Sequence, residues 1–149
     1  MGRFITIVLA MLWSVLSLAA EQGIRSPMAL VESARAEIEE MSVATLRAAP
    51  QEHRVLIDVR EPDEFEAGHI QGAVNIPRGQ LEFALKRHPE LAEITETSPT
   101  QLPETEIVLY CGSGARSALA AQSLKAMGFN NVYSLSGGFR AWRQSSPAQ

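Results

Sequence analysis

The run Ile107-Val108-Leu109-Tyr110-Cys111-Gly112-Ser113-Gly114-Ala115-Arg116-Ser117 decides the fold. Its first four residues form a compact apolar stretch, the composition of a buried parallel strand. Gly112 and Gly114 then allow a tight turn, because glycine reaches backbone angles closed to other residues. Ser117, Ala120, Ala121, Leu124 and Met127 follow at helical spacing, so a helix packs one face on a sheet, and Gly128 is placed as its C-cap. A strand that feeds a helix through a short turn asks for a parallel neighbour strand and a helix-covered sheet.

The flanking sequence supplies those neighbours. Val55 to Val59 reads as a second buried strand, Ala73 to Ile76 as a short one closed by Pro77, and Asn131 to Leu135 as a fourth. Between them, Glu61 to Ala67 reads as a short helix with Pro62 in its first turn and Gly68 after its end. Leu81 to Arg87 is helical and stopped by Pro89, and Ser42 is an N-cap for a helix over Val43 to Ala48. Gly137-Gly138 turns the chain into a last short helix carrying Phe139 and Trp142 as core cover. Ala29 to Glu40 has helical composition, with Ile38 near its end or opening an edge strand. Glu93 to Thr105, polar and rich in Thr and Pro, reads as a surface loop. The expectation is an α/β domain: a small, mainly parallel sheet flanked by helices on both faces.

The N-terminus has a different logic. Arg3, an apolar run from Phe4 to Leu18, and small residues at Ser17 and Ala19 are the parts of a secretory signal. The run is short for a bilayer-spanning helix, which needs roughly 20 residues; an uncleaved anchor is the alternative. No cysteine follows it, which excludes a lipoprotein anchor. The expected organisation is a signal peptide at 1–19 cleaved after Ala19, a lead-in at 20–41 and a domain at 42–145. A bacterial signal of this kind points to the periplasm, with no stable membrane association. The mature chain of roughly 130 residues can bury a core without disulfides or metal.

The formal net charge of -4 gives no electrostatic footprint for nucleic acid. One cysteine allows no intramolecular disulfide, and three scattered histidines (His53, His69, His88) show no zinc-ligand spacing. The chemistry therefore concentrates on Cys111. Backbone N–H groups of a glycine loop can converge as an anion nest. A helix N-terminus adds partial positive charge, and Arg116 adds a permanent cation. All three stabilise a thiolate, so the thiol pKa should fall below the free value of about 8.5. They would stabilise a persulfide equally.

This loop resembles the active-site loop of the rhodanese family. Two further segments are similar to that family's signatures: Asp58 to Pro77 nearly position for position, and Gly128-Phe129 with Val132 to Trp142. The resemblance covers Ser42 to Ser145. It implies a thiosulfate sulfurtransferase without metal or organic cofactor, with Cys111 as the catalytic persulfide carrier. Gly112, Ser113, Gly114, Ala115, Arg116 and Ser117 would bind the substrate, Arg116 orienting the anionic donor. The implied partners are a small anionic sulfur donor and a thiol or cyanide acceptor, which could be a thiol protein. Asp58, Arg60, Glu64 and His69 are read as structural support: Asp58 and Arg60 hold neighbouring loops, Glu64 pairs with Arg60, and His69 bonds backbone. Two departures matter. Gly112 stands where many members carry a cation. The run Cys-Gly-Ser-Gly also resembles 3-mercaptopyruvate sulfurtransferases, whose loops usually end in Val-Thr rather than Ala115-Arg116. A non-catalytic sulfur carrier or binding module is a further alternative. Phosphatases and arsenate reductases of related fold have five residues between Cys and Arg, and this loop has four.

Overall fold

A computed structural model describes residues 23–50 and 54–145. The expected export signal with its cleavage point after Ala19, and His53, lie outside the described residues. A five-stranded, all-parallel sheet has the order β1-β5-β4-β2-β3. Its strands are β1 (Glu39–Met41), β2 (Val55–Asp58), β3 (Val74–Asn75), β4 (Ile107–Tyr110) and β5 (Val132–Leu135). β2 and β4 are buried at every residue, as their unbroken apolar runs require.

Alternation along the strands divides the core in two. Val55, Ile57, Ile107, Leu109 and Val132 face α1 (Pro27–Glu37), α4 (Leu81–Ala84), α5 (Pro89–Thr97) and α6 (Ala115–Ala126). Leu56, Val108, Tyr110 and Leu135 face α2 (Val43–Ala48) and α7 (Gly138–Gln144). The short α3 (Pro62–Glu66) leads into Ile70, buried on this second side. The sheet is thus flanked by helices on both faces, and Ser42 caps α2 by accepting from the Thr45 N–H at 3.0 Å.

Three readings change. The segment 93–105 is not a loop: it holds the end of α5 and a 3-10 helix over Pro99–Glu104. Leu91 anchors α5 in the core, and the hydroxyls of Thr95 and Thr97 donate to the carbonyls of Leu91 and Glu93 one turn back. Polar side chains that fold back on the helix made the segment look like loop composition. Within the described part of the lead-in, residues 27–41 form α1, capped by Ser26, and β1, the sheet's edge strand, rather than a mere approach to the domain. Val31 and Ala34 of α1 pack in the α6-side core, so α1 and β1 are part of the folded unit. Met127, expected on the packed face of α6, is 49% exposed, because the helix ends one residue earlier.

Candidate active site

β4 delivers Cys111 to the carboxyl edge of the sheet, between the longer central strands, where open α/β sheets bind ligands. The residue is 1% exposed. The Gly114 N–H donates to its Sγ at 3.2 Å, and the Ser117 hydroxyl lies 3.7 Å from it. Burial pushes the thiol up; the N–H groups of Ser117 and Ser113, the Ser117 hydroxyl and the Gly114 N–H outweigh it and hold the pKa below that of an ordinary cysteine. The Ser117 hydroxyl is itself positioned by Ser134 at 2.8 Å. Sequence reading did not single out Ser134. Its signal was a polar residue at an inward position of the apolar strand β5, where Ser134 is fully buried.

The loop's shape is imposed from α7. The Phe139 N–H donates to the Cys111 carbonyl at 2.7 Å, and the Arg140 N–H to the Gly112 carbonyl at 3.1 Å. Pinning those carbonyls outward leaves the peptide N–H groups free to turn toward the sulfur, since the two ends of a peptide unit point oppositely. Gly138 makes the approach possible: a Cβ there would press on the Cys111 carbonyl oxygen and lie 2.8 Å from the Ser113 nitrogen. Its φ of +60° also favours glycine. Beyond turning the chain, Gly138 of the glycine pair seats the cysteine loop. Within the loop, Gly114 takes a left-handed conformation, φ +94°, and Gly112 does not.

Two arginine–carboxylate pairs flank the loop. Asp58 accepts the Arg60 Nη2 at 2.6 Å and Nε at 3.0 Å, and Arg60 also donates to the Gly68 carbonyl at 2.8 Å. The Arg60 guanidinium lies 4.3 Å from the Phe139 ring centroid. Burial works against its charge, but the bonded Asp58 carboxylate raises its pKa overall. Glu64, expected to partner Arg60, instead accepts Arg116 Nη1 at 2.7 Å and Nη2 at 2.9 Å. Arg60 is already saturated by Asp58, whereas α3 aims Glu64 at α6. The Glu64 carboxylate also accepts the Glu61 N–H at 3.2 Å within a capping box. Arg116 and these contacts hold the Glu64 carboxyl down at about 2. Arg116 covers the loop: a Cβ on Gly112 would lie 3.6 Å from its Nη2. That distance is ordinary contact, so the cation beside the loop is supplied by Arg116 whatever stands at Gly112; the Arg116 pKa is raised by Glu64 and, to a smaller extent, by the Cys111 thiolate.

His69 stacks on Phe65 at 3.8 Å between centroids, with Nδ1 3.0 Å from the Phe65 carbonyl, as the backbone-bonding role requires. Ser113 is exposed at the loop's rim, and Ala115 opens α6. Among the described residues no group of three or more His, Cys, Asp or Glu side chains is arranged to hold a metal ion.

Residues 42–145 match the family model of the rhodanese-like domain. The chain is 46% identical over 87 residues to the uncharacterized protein YqhL of Bacillus subtilis, and spans only 59% of that relative's length. It is 36% identical over 104 residues to the thiosulfate sulfurtransferase GlpE of Pseudomonas putida, covering 70% of this chain and 83% of that one. Among solved structures, a Rhodopseudomonas palustris protein of unknown function, described as a possible tyrosine phosphatase, aligns with TM-score 0.67 and 33% identity. That alignment covers 86% of this chain and 98% of the other. A human single-domain sulfurtransferase aligns with TM-score 0.59 and 31% identity, covering 72% of this chain and 96% of that one.

Proposed function

This chain belongs to the rhodanese-like domain family, and from that premise we propose that it transfers sulfane sulfur from thiosulfate to a thiophilic acceptor through a persulfide on Cys111. The Cys111 thiolate attacks the outer sulfur of thiosulfate. A bond forms between Sγ and that sulfur, the sulfur–sulfur bond of the donor breaks, and sulfite leaves with the electron pair. The acceptor then takes the outer sulfur and the thiolate returns. The carrying observation is the sulfur's surroundings: N–H and O–H donors meet Sγ, and among the described residues no imidazole or carboxylate is hydrogen-bonded to it. That arrangement stabilises an anionic sulfur rather than activating a thiol by proton transfer.

Arg116 has a conditional part in this scheme. Its guanidinium fork is occupied by Glu64, so a dianionic donor must compete with that carboxylate for it. Mercaptopyruvate, with a single carboxylate, is the second donor to consider, on the strength of Cys111-Gly112-Ser113-Gly114. A phosphatase reading is disfavoured: four residues separate Cys111 from Arg116, and the arginine of that loop is paired with Glu64 rather than open to a phosphate.

Intact-mass spectrometry after exposure to thiosulfate should show the protein heavier by one sulfur atom. Cys111→Ser should abolish the gain while keeping the fold. An unchanged mass with every sulfane donor would overturn the proposal. We also propose export to the periplasm, supported by Arg3, the apolar run and Ser17-x-Ala19. The protein should be released by osmotic shock with its N-terminus at Ala20, and full-length chain in the membrane fraction would speak for the anchor.

A further inference from the structure

Two arginines of this chain are buried to the same depth and bonded very differently. The side chains of Arg60 and Arg54 are 6% and 7% exposed. Arg60 gives its donors to the Asp58 carboxylate and the Gly68 carbonyl. Arg54 makes one hydrogen bond among the described residues, from Nη1 to the Leu46 carbonyl at 2.9 Å. Its Nε is buried without a hydrogen-bond partner, and the facing carboxylate, on the partly exposed Glu106, stops 3.8 Å away. A guanidinium carries several N–H donors in a fixed fork, and a buried charge is ordinarily paired and hydrogen-bonded. Arg54 therefore has unused donors at a depth where unused donors are costly.

These donors border a pocket of 290 Å³. Leu46, Leu56 and Ile70, all of the core on the α2 and α7 side, line it together with Trp142 of α7. Arg47 lines it too. Its guanidinium lies 3.8 Å from the Trp142 ring centroid and donates to the Trp142 carbonyl at 2.9 Å, which clamps α2 to α7 beside the pocket. The described lining residues include no carboxylate side chain. Arg54 directly precedes β2, so it stands at the amino end of that strand, whereas Cys111 stands at the carboxyl end of β4. No residue of the cysteine loop lines the pocket.

The lining makes two demands at once. Water or an inorganic ion would satisfy the spare donors of Arg54 and leave the apolar side chains wet. A carboxylate on an apolar body meets both. Its oxygens accept charge-assisted hydrogen bonds from the guanidinium, and its body removes apolar surface from water. The volume lies at the lower bound for organic ligands, roughly 300–1,000 Å³, which limits the ligand to a small one. We propose that this pocket binds a small organic monocarboxylate with an apolar body, its carboxylate on Arg54 and its body against Leu46, Ile70 and Trp142. The site is separate from Cys111 and does not rest on the persulfide reading.

Phenylacetate is the probe. The full chain is titrated with it while NMR shifts of the Leu46 and Ile70 methyl groups and of the Trp142 indole are followed. Saturable shifts at these residues are expected. Phenylacetamide, which lacks the charge, and acetate, which lacks the apolar body, should each bind about tenfold more weakly or worse. Arg54→Met should weaken phenylacetate by about tenfold or more. That substitution also removes the bond to the Leu46 carbonyl, so Ala49→Leu is the second variant. It narrows the pocket from the end of α2 and leaves Arg54 in place. It should weaken binding as well, with the melting temperature unchanged. No saturable shift in wild type, equal affinity for phenylacetamide or acetate, or undiminished binding by either folded variant would overturn the site. Sulfur loading of Cys111 plays no part in the titration, so failure of the persulfide reading would leave this result standing.

Discussion

The molecule uses the same ion pair twice, at two depths. Asp58–Arg60 closes at 2.6 Å with side chains 0% and 6% exposed; Glu64–Arg116 closes at 2.7 Å with side chains 36% and 39% exposed. Distance does not distinguish them, but solvent does. The buried pair spends its donors on holding backbone: Arg60 on the Gly68 carbonyl, with Asn75 tying the Asp58 and Arg60 carbonyls together. Its charges are fixed where no water could replace a lost partner. The outer pair is more than a third exposed, where water can reach both partners and an anionic ligand can take the place of Glu64 on Arg116. One arrangement is architecture, the other is exchangeable, and exchangeability is what a site for a charged donor needs.

The largest effect should come from breaking the inner pair. Asp58→Ala leaves the Arg60 guanidinium buried without its anion, which costs on the order of 3–5 kcal/mol. A thermal melt should fall by on the order of 10 °C. A loss below about 1 kcal/mol would mean that water reaches Arg60, and the contrast between the two depths would collapse.

Next in size is removal of the outer cation. Arg116→Thr should lower the second-order rate constant with thiosulfate by about tenfold to a hundredfold. The loss with 3-mercaptopyruvate should be smaller, and the melting temperature nearly unchanged. Equal losses with both donors, joined to a fall in stability, would show Arg116 to be structural like Arg60.

How much of this contrast could be read from sequence follows from what each feature depends on. The strands at Val55 and Ile107, the cysteine loop and the α/β layering were legible because each is local: an apolar run, a glycine turn, a helical repeat. The placing of Asp58 and Arg60 at a strand end as loop supports was legible, but their pairing with each other was not, since the sequence assigns Arg60 to Glu64. The partner of Glu64 was not, since Arg116 is 52 residues away and the choice depends on how α3 and α6 are set against the sheet. Ser134 and Gly138 were missed as parts of the site for the same reason. Their roles exist only once β5 and α7 are brought against the cysteine loop. The segment 93–105 misled through composition, because its threonines are satisfied inside helix rather than in water.

A smaller effect separates backbone from side-chain electrostatics. The depressed thiol of Cys111 owes its shift chiefly to loop N–H groups and Ser117, with the Arg116 cation beside it. Gly138→Ala, which crowds the Cys111 carbonyl and the Ser113 nitrogen, should therefore raise the thiol pKa toward the ordinary cysteine range. The pH profile of alkylation by iodoacetamide would read this: the rate rises as the thiolate forms, and the variant's rise should come at higher pH. A profile that coincides with wild type would show that the loop does not need α7 to hold its shape.

The smallest expected effect concerns the exchange of Glu64 itself. Glu64→Gln keeps the side chain's size and its capping oxygen but removes the anion that competes for Arg116. The freed guanidinium should take thiosulfate more readily, so its second-order rate constant should rise by between about twofold and tenfold. The stability cost should stay under about 1 kcal/mol, because a pair more than a third exposed is screened by water. The pH dependence gives an independent reading. The folded carboxyl lies at about 2, below its ordinary 4.5. The unfolded chain therefore binds the proton first as pH falls, and the pair's contribution is fully present above 4.5 and lost on the way down to about 2. The stability difference between wild type and Glu64→Gln, measured by urea unfolding across that window, should shrink toward zero at the acid end. A variant that reacts more slowly with thiosulfate would instead show that Glu64 holds Arg116 in its working position, and the outer pair would then have to be counted as part of the scaffold, as the inner one is.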